Sequence, residues 1–356
     1  MKKKLVISLL IGVSFSVVTL WFAFQNIPLK DLVKYVQTVN YLWLIPSLAI
    51  GLFSFIIRVI RWHLIINSTD SKAPFKLVYH TLMTGFMLNC ILPGRIGEIA
   101  RPIILKNQSD TPFSTGLATI VTERVFDITA LITIFAFLLS SVKIDPDLVV
   151  TFGGYKITAD ILSGVFSGIM KLSVLLITGI IMVNIKPIRG LIIRMTLGIP
   201  PFLFFLNQNY KKAVYHKIAV PISGMIENFS GGFKLLNSPV KIITCIVLSY
   251  AVWITQALSY YLISLGCPGI GLSFLEISTV MVIICFAISL PSVPGFWGLW
   301  EAGGIFALAV FSVARSSAAG YTLINHVLQI VPVIIVGGIS AFIIGININQ
   351  LYTKRL

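Results

Sequence analysis

Two short apolar runs meet at Pro93-Gly94-Arg95-Ile96-Gly97-Glu98, which is followed at once by Ile99-Ala100-Arg101-Pro102. Leu77–Leu92, before the break, is short for a membrane span. Ile99–Leu105, after it, is shorter still and is interrupted by Arg101-Pro102. A helix needs about 20 apolar residues to cross the hydrocarbon core. Two sub-length pieces around a Pro-Gly break therefore predict a re-entrant helical hairpin, whose irregular backbone must be enclosed by protein. The frame returns at Pro294-Gly295-Phe296-Trp297-Gly298, between the short runs Phe274–Leu290 and Phe296–Phe311. Each break has a glutamate close behind it, Glu98 in the first and Glu301 in the second.

Around these breaks lie longer apolar runs: Leu5–Phe24, Tyr41–Ile60, Leu117–Ser140, Ile161–Ile185, Ile242–Leu265 and Tyr321–Ile346. The 356-residue chain is 57% hydrophobic and 11% charged. A soluble domain carries about 25% charged residues, so most of this surface is not built for water. The net charge of +15 sits in the connections between runs, the positive-inside pattern of a membrane protein rather than a nucleic-acid surface. Met1-Lys2-Lys3-Lys4 ahead of Leu5 reads as the cytoplasmic flank of a retained first helix, since no small-residue cleavage site follows it.

Orientation follows from loop charge. Residues 141–160 carry one more acid than base and read as external, whereas residues 186–241 set eight lysines and arginines against Glu227 alone and read as cytoplasmic. Apolar pieces inside the basic segment, such as Leu191–Leu206 with Pro200-Pro201, read as interfacial helices. Both termini fall in the cytoplasm. The expected fold is thus an all-α polytopic membrane protein, with about six full spans plus two re-entrant broken hairpins, about eight transmembrane segments. Residues 1–356 form a single transmembrane domain of two inverted repeats, roughly 1–140 and 161–350, joined by the external loop 141–160. Paired broken segments in corresponding positions are the mark of an inverted-repeat transporter with its site near the midplane. Pro93, Pro294, Gly295 and Gly298 make the breaks.

Charges at bilayer depth cost roughly 2.5–3.5 kcal/mol each, so they need partners or a polar cavity. The first half concentrates them in Arg58, Arg61, Arg95, Glu98, Arg101, Glu123, Arg124 and Asp127. Glu123 and Asp127 share one helical face, as do Arg58 and Arg61. Such a network either binds the halves together by internal pairing or leaves spare guanidinium donors for a phosphate. Gly94 and Gly97 allow close approach of an anion to freed backbone amides. In the second half, Glu276 reads as an interface residue, and Glu301 as a proton carrier or an arginine's partner. Trp297 and Trp300 either line a lipid groove or anchor the interface. His326 and Gln329 read as helix-packing groups. The four cysteines read as apolar fillers. No nucleophile set, metal pattern, phosphate loop or dinucleotide fingerprint stands out, so neither enzyme activity nor a cofactor is expected.

Arg58-Val-Ile-Arg61-Trp62, Pro93-Gly94-Arg95-Ile96-Gly97-Glu98 with Arg101-Pro102, Glu123-Arg124-Val125-Phe126-Asp127, and Pro294-Gly295 with Gly298 and Glu301 occur in that order. Together they resemble the lysylphosphatidylglycerol synthase transmembrane-region family, the flippase-like proteins. The second break departs from the usual Pro-Gly-Gly form, with Phe296-Trp297 after Pro294-Gly295.

The resemblance implies a prokaryotic cytoplasmic-membrane protein that flips an anionic phospholipid or polyprenyl-linked molecule. It implies no lysyl transfer, since the C-terminal aminoacyltransferase domain of the best-known members is absent from this sequence. Arg58, Arg61, Arg95 and Arg101, with Gly94 and Gly97, would receive the headgroup. Glu98, Glu123, Arg124, Asp127 and Glu301 would balance charge or carry protons. Expected partners are membrane lipids and envelope lipid or glycan biosynthetic enzymes, and no nucleic acid. A secondary transporter of a small anionic solute, a lipid-phosphate enzyme and a non-transporting accessory subunit remain the alternatives.

Overall fold

The structure is a computed structural model that describes residues 13–14, 16–25, 27–142, 149–152, 155–158, 186–202, 238–289 and 294–346, with isolated positions between 164 and 178 and between 207 and 235. The start of the expected first span, most of the expected span 161–185, much of the basic segment and the C-terminal Lys354-Arg355 lie outside the described residues.

A helical stretch at 16–24 precedes α1 (Leu29–Thr38). A 3-10 turn at Tyr41–Trp43, capped by the Asn40 side chain, then opens α2 (Leu44–Ile66). The span expected to end at Ile60 thus continues six residues further, because Trp62, Ile65 and Ile66 are all fully buried beyond the arginines. Arg58 and Arg61 therefore lie within the helix and point into the bundle, not at a wet interface.

α3 (Phe75–Ile91) stops where Leu92 turns extended ahead of Pro93, the conformation that a following proline imposes. The break itself is the 3-10 turn Pro93–Arg95, with Gly94 at φ 74 and Arg95 at φ 53. α4 (Ile96–Gln108) leads away from it and passes unbroken through Arg101-Pro102, against expectation. Pro102 removes one helical donor, and Gly116 on the neighbouring helix packs against its ring.

α5 (Phe113–Ser141) is a full-length helix of 29 residues. The expected external loop is not wholly irregular: β1 (Val149–Phe152) pairs antiparallel with β2 (Tyr155–Thr158), Val149 opposite Thr158. These strands are rich in β-branched and aromatic residues, which favour the pleated ribbon. α6 (Lys186–Phe202) covers the first apolar piece of the basic segment as far as Phe202.

α7 (Pro239–Gly266) begins with its proline in the first turn, where a missing N–H costs nothing. α8 (Phe274–Ser289) is entered through a reciprocal cap. Glu276 accepts from the Ser273 amide at 2.8 Å, and Ser273 Oγ accepts from the Glu276 amide at 3.4 Å. The second break, Pro294–Phe296, copies the first: Gly295 has φ 68 and Phe296 has φ 59. α9 (Leu299–Ala309) and α10 (Arg315–Ile343) complete the described chain, α10 again with 29 residues.

Four helical segments among the described residues are long and apolar enough to cross a membrane: Tyr41–Ile66, α5, α7 and α10; α8 is a shorter apolar helix. α2 lies along α7, and the contacts run antiparallel. Ser47 donates to the Ser259 carbonyl at 2.9 Å, Ser54 to Gln256 Oε1 at 3.3 Å and Arg61 to Ser249 Oγ at 2.6 Å. Residue numbers rise on one helix as they fall on the other. α3 packs on α4 as α8 packs on α9; α4 meets α5 as α9 meets α10; α3 meets α10 as α8 meets α5. The two breaks also touch each other.

Candidate functional site

Three helices deliver the charged side chains to one place. α2 brings Arg58 and Arg61, α4 brings Glu98 and Arg101, and α5 brings Glu123, Arg124 and Asp127. The i, i+4 spacing on α5 puts both of its carboxylates on the face that meets α2. Arg61 is fully buried and binds both, donating to Asp127 Oδ1 at 2.7 Å and Glu123 Oε1 at 3.4 Å. Its third contact is Ser249 Oγ. Arg101, 2% exposed, donates to the other oxygen of Glu123 at 2.6 Å, and its guanidinium lies 3.9 Å from the centre of the Trp62 ring. Trp62 is itself fixed by its indole N–H to Thr119 Oγ1.

The remaining cations are held loosely. Arg124 reaches Asp127 at 3.5 Å, Glu123 at 3.7 Å and Glu98 at 3.7 Å, and is partly exposed. Arg95 reaches Glu98 at 3.9 Å and donates to the Ile288 carbonyl at 3.1 Å. Arg58 differs from all of these. It is 6% exposed and makes no hydrogen bond among the described residues; its only carboxylate contact is Asp127 Oδ2 at 4.0 Å. Around its guanidinium stand the rings of Phe55, Phe86 and Trp253, at 5.9, 5.7 and 5.2 Å. Among the described residues five arginines in this cluster face three carboxylates, an excess of two positive charges.

The predicted glycines divide. Gly94 sits at positive φ with open space around it. A Cβ on Gly97 would instead run into the Gly85 carbonyl, so Gly97 is committed to the packing of α4 on α3. Gly298 holds the corresponding place after the second break, and a Cβ there would strike the Thr19 hydroxyl.

Glu301 finds no arginine among the described residues. Its Oε2 accepts from the Gly298 amide at 2.7 Å, and its Oε1 pairs with Nδ1 of His326. Nε2 of the same ring faces the Gly295 carbonyl at 2.7 Å, and the ring stacks on Trp300 at 4.6 Å and against Trp297 at 4.3 Å. Both ring nitrogens thus face oxygen atoms, so the imidazole is held at both ends. Glu301 and His326 are fully buried. Glu276 only caps α8.

The profile described as lysylphosphatidylglycerol synthase TM region matches residues 6–337. The chain belongs to this family. Among its relatives is a UPF0104 membrane protein of Methanocaldococcus jannaschii, 26% identical over 330 residues that make up 91% of each chain. A second UPF0104 membrane protein of that organism is 24% identical over 264 residues, 73% of this chain and 95% of its own. A third, from Methanothermobacter thermautotrophicus, is 21% identical over 331 residues, 88% of this chain and 87% of its own. No solved structure matches the chain.

Within the family frame, sequence reasoning named the arginines and carboxylates that meet but missed what surrounds them. Trp253 and Ser249 lie on α7, far from any motif, and nothing local marks them. His326 was legible as a buried polar residue on α10, and its partner Glu301 was named, but their meeting depends on α9 folding back against α10.

Proposed function

We propose that the protein translocates an anionic lipid across the membrane, with the headgroup phosphate received by the cluster around Arg58. The observation that carries this reading is Arg58 itself, a buried guanidinium with no hydrogen bond in a cluster with surplus positive charge. A buried cation is stable only when paired and hydrogen-bonded, and a phosphate supplies both. Arg124 and Arg95, half-open beside it, offer further donors; Arg61 and Arg101 are spent on Glu123 and Asp127. The family, named after a lipid-modifying synthase, supports a lipid cargo.

We further infer that the two halves are inverted repeats. An antiparallel α2–α7 contact centred near Ser54 and Gln256 fits a two-fold axis lying across the helices. Matching breaks, matching helix–helix contacts and equal lengths for α5 and α10 agree with it. Counted from their first residues, Glu123, Arg124 and Asp127 on α5 correspond to Asn325, His326 and Gln329 on α10. One half holds charge where the other holds neutral or titratable groups, as suits a path that binds an anion firmly on one side and releases it on the other. The basic segment 186–241 supports a cytoplasmic-membrane location with that segment inside.

The test is reconstitution into vesicles carrying fluorescent phosphatidylglycerol, with leaflet exchange read by dithionite quenching. Arg58→Gln is expected to slow exchange about tenfold or more, the size of one lost charge-assisted contact, while Arg58→Lys keeps part of it. Exchange by Arg58→Gln at the wild-type rate, in protein that folds normally, would sink the proposal.

A further inference from the structure

Between α5, α7 and α8 lies a cleft of about 450 Å³, within the range of roughly 300–1,000 Å³ typical of small-molecule sites. Its walls are apolar, with Ile134, Phe137, Ile254 and Met281 among them. The hydroxyls of Thr133 and Tyr250, which also line it, bond each other at 2.6 Å and so offer little to a polar guest. Trp253 lines the same cleft, and its ring also faces the Arg58 guanidinium at 5.2 Å. The ring is 8% exposed and its indole N–H has no acceptor among the described residues. One indole therefore separates a hydrocarbon-lined space from a buried cation that lacks hydrogen bonds.

We propose that this cleft holds one acyl chain of an anionic phospholipid whose phosphate pairs with Arg58, with Trp253 as the positioning residue between chain and headgroup. The inference rests on the translocation reading and specifies where the cargo is bound before it crosses. Charge complementarity fixes the occupant. A free phosphate has no use for the apolar walls, and a neutral diacylglycerol brings nothing to the guanidinium. Only a molecule that joins an anion to hydrocarbon answers both. The indole N–H would gain an acceptor in the same phosphate.

The protein carries its own comparison. A second cleft of about 740 Å³ opens between α1, α2 and α10, lined by residues such as Ile45, Leu323 and Val327. The polar residues in its walls are Asn40 and Tyr41, and none of its lining residues carries a charge. A hydrocarbon chain fits there equally well, but nothing in that cleft selects an anion.

The experiment uses the full chain in vesicles with two photoreactive probes that carry the same diazirine acyl chain, one on phosphatidylglycerol and one on diacylglycerol. Labelled residues are mapped by peptide mass spectrometry. The phosphatidylglycerol probe is expected to label Phe137, Ile254 and Met281 about tenfold more than the diacylglycerol probe, and to label the α1–α2–α10 cleft no more than it does. Arg58→Gln should erase the preference and Arg58→Lys should keep it. Ala257→Trp, which fills the cleft, should remove the labelling by both probes. Equal labelling by the two probes in wild-type protein would overturn the inference, as would an anion preference confined to the other cleft. Transport measured in the same vesicles separates the two claims. Exchange without preferential labelling removes this site and leaves translocation standing; preferential labelling without exchange keeps the site and removes translocation.

Discussion

Glu123 binds two guanidiniums at once, Arg61 through one oxygen and Arg101 through the other, with no exposed surface. Removing one partner of a buried charge network typically costs about 3–5 kcal/mol, because the charges left behind remain desolvated. Glu123→Gln is therefore expected to lower the thermal unfolding temperature strongly. Glu98→Gln, whose contacts to Arg95 and Arg124 are long and partly exposed, should cost no more than about 1 kcal/mol. A thermal-shift comparison of the two in detergent checks the ranking, and equal losses would contradict it. Glu301 and His326 make a second test at this scale. Their direct contact and complete burial predict that Glu301→Gln and His326→Gln are not additive, with a coupling of about 1–3 kcal/mol in a double-mutant cycle. Additive effects would show that the pair does not act as a unit.

At the scale of elements, the two hairpins rest on glycines that do different jobs. Gly97→Ala would push a methyl group into the Gly85 carbonyl and prise α4 from α3. Gly94→Ala meets open space and pays only for its left-handed backbone, about 1–2 kcal/mol. Gly97→Ala should therefore give much less folded protein than Gly94→Ala, read by size-exclusion chromatography after mild extraction. The reverse order would mean that the break, not the packing, limits assembly. These hairpins were legible in the sequence because proline and glycine act on their own neighbourhood. Both breaks fall where Pro93-Gly94 and Pro294-Gly295 stand. The shared face of Glu123 and Asp127 was legible for the same reason, being a matter of helical pitch. The extension of α2 to Ile66 was not legible. Arg58 and Arg61 show in the sequence only as charges in need of partners, and the carboxylate that meets Arg61 stands 66 positions further on. Trp253 was hidden for a like reason, since its importance lies in which helix it faces.

For the whole molecule, the antiparallel α2–α7 contact is the axis on which the inferred two-fold depends. Ser47 and Ser259 approach with their hydroxyls 3.0 Å apart. Ser47→Cys/Ser259→Cys is expected to cross-link under copper-phenanthroline in intact membranes. After proteolysis within the basic segment 186–241, the two halves should then run as one species on a denaturing gel and separate on reduction. Halves that separate without reduction would break the proposed axis. The proposed axis would set the arginine cluster against Asn325, His326 and Gln329 at like positions, so a lipid path built on it would be chemically one-sided even though its scaffold is nearly even.

The separation of Arg61 from Asp127 has a consequence for how the protein is made. They lie 66 residues apart in the chain, and at roughly 5–20 residues per second a ribosome takes about 3–13 s to travel from one to the other. During that interval α2 carries two guanidiniums and lacks Asp127, the carboxylate that both of them reach. Each would cost about 2.5–3.5 kcal/mol at the centre of a bilayer. The helix that later anchors the site thus carries an insertion cost of its own until α5 arrives. A nascent chain arrested before residue 123 is expected to leave α2 accessible to water, and one arrested beyond residue 141 to draw it in.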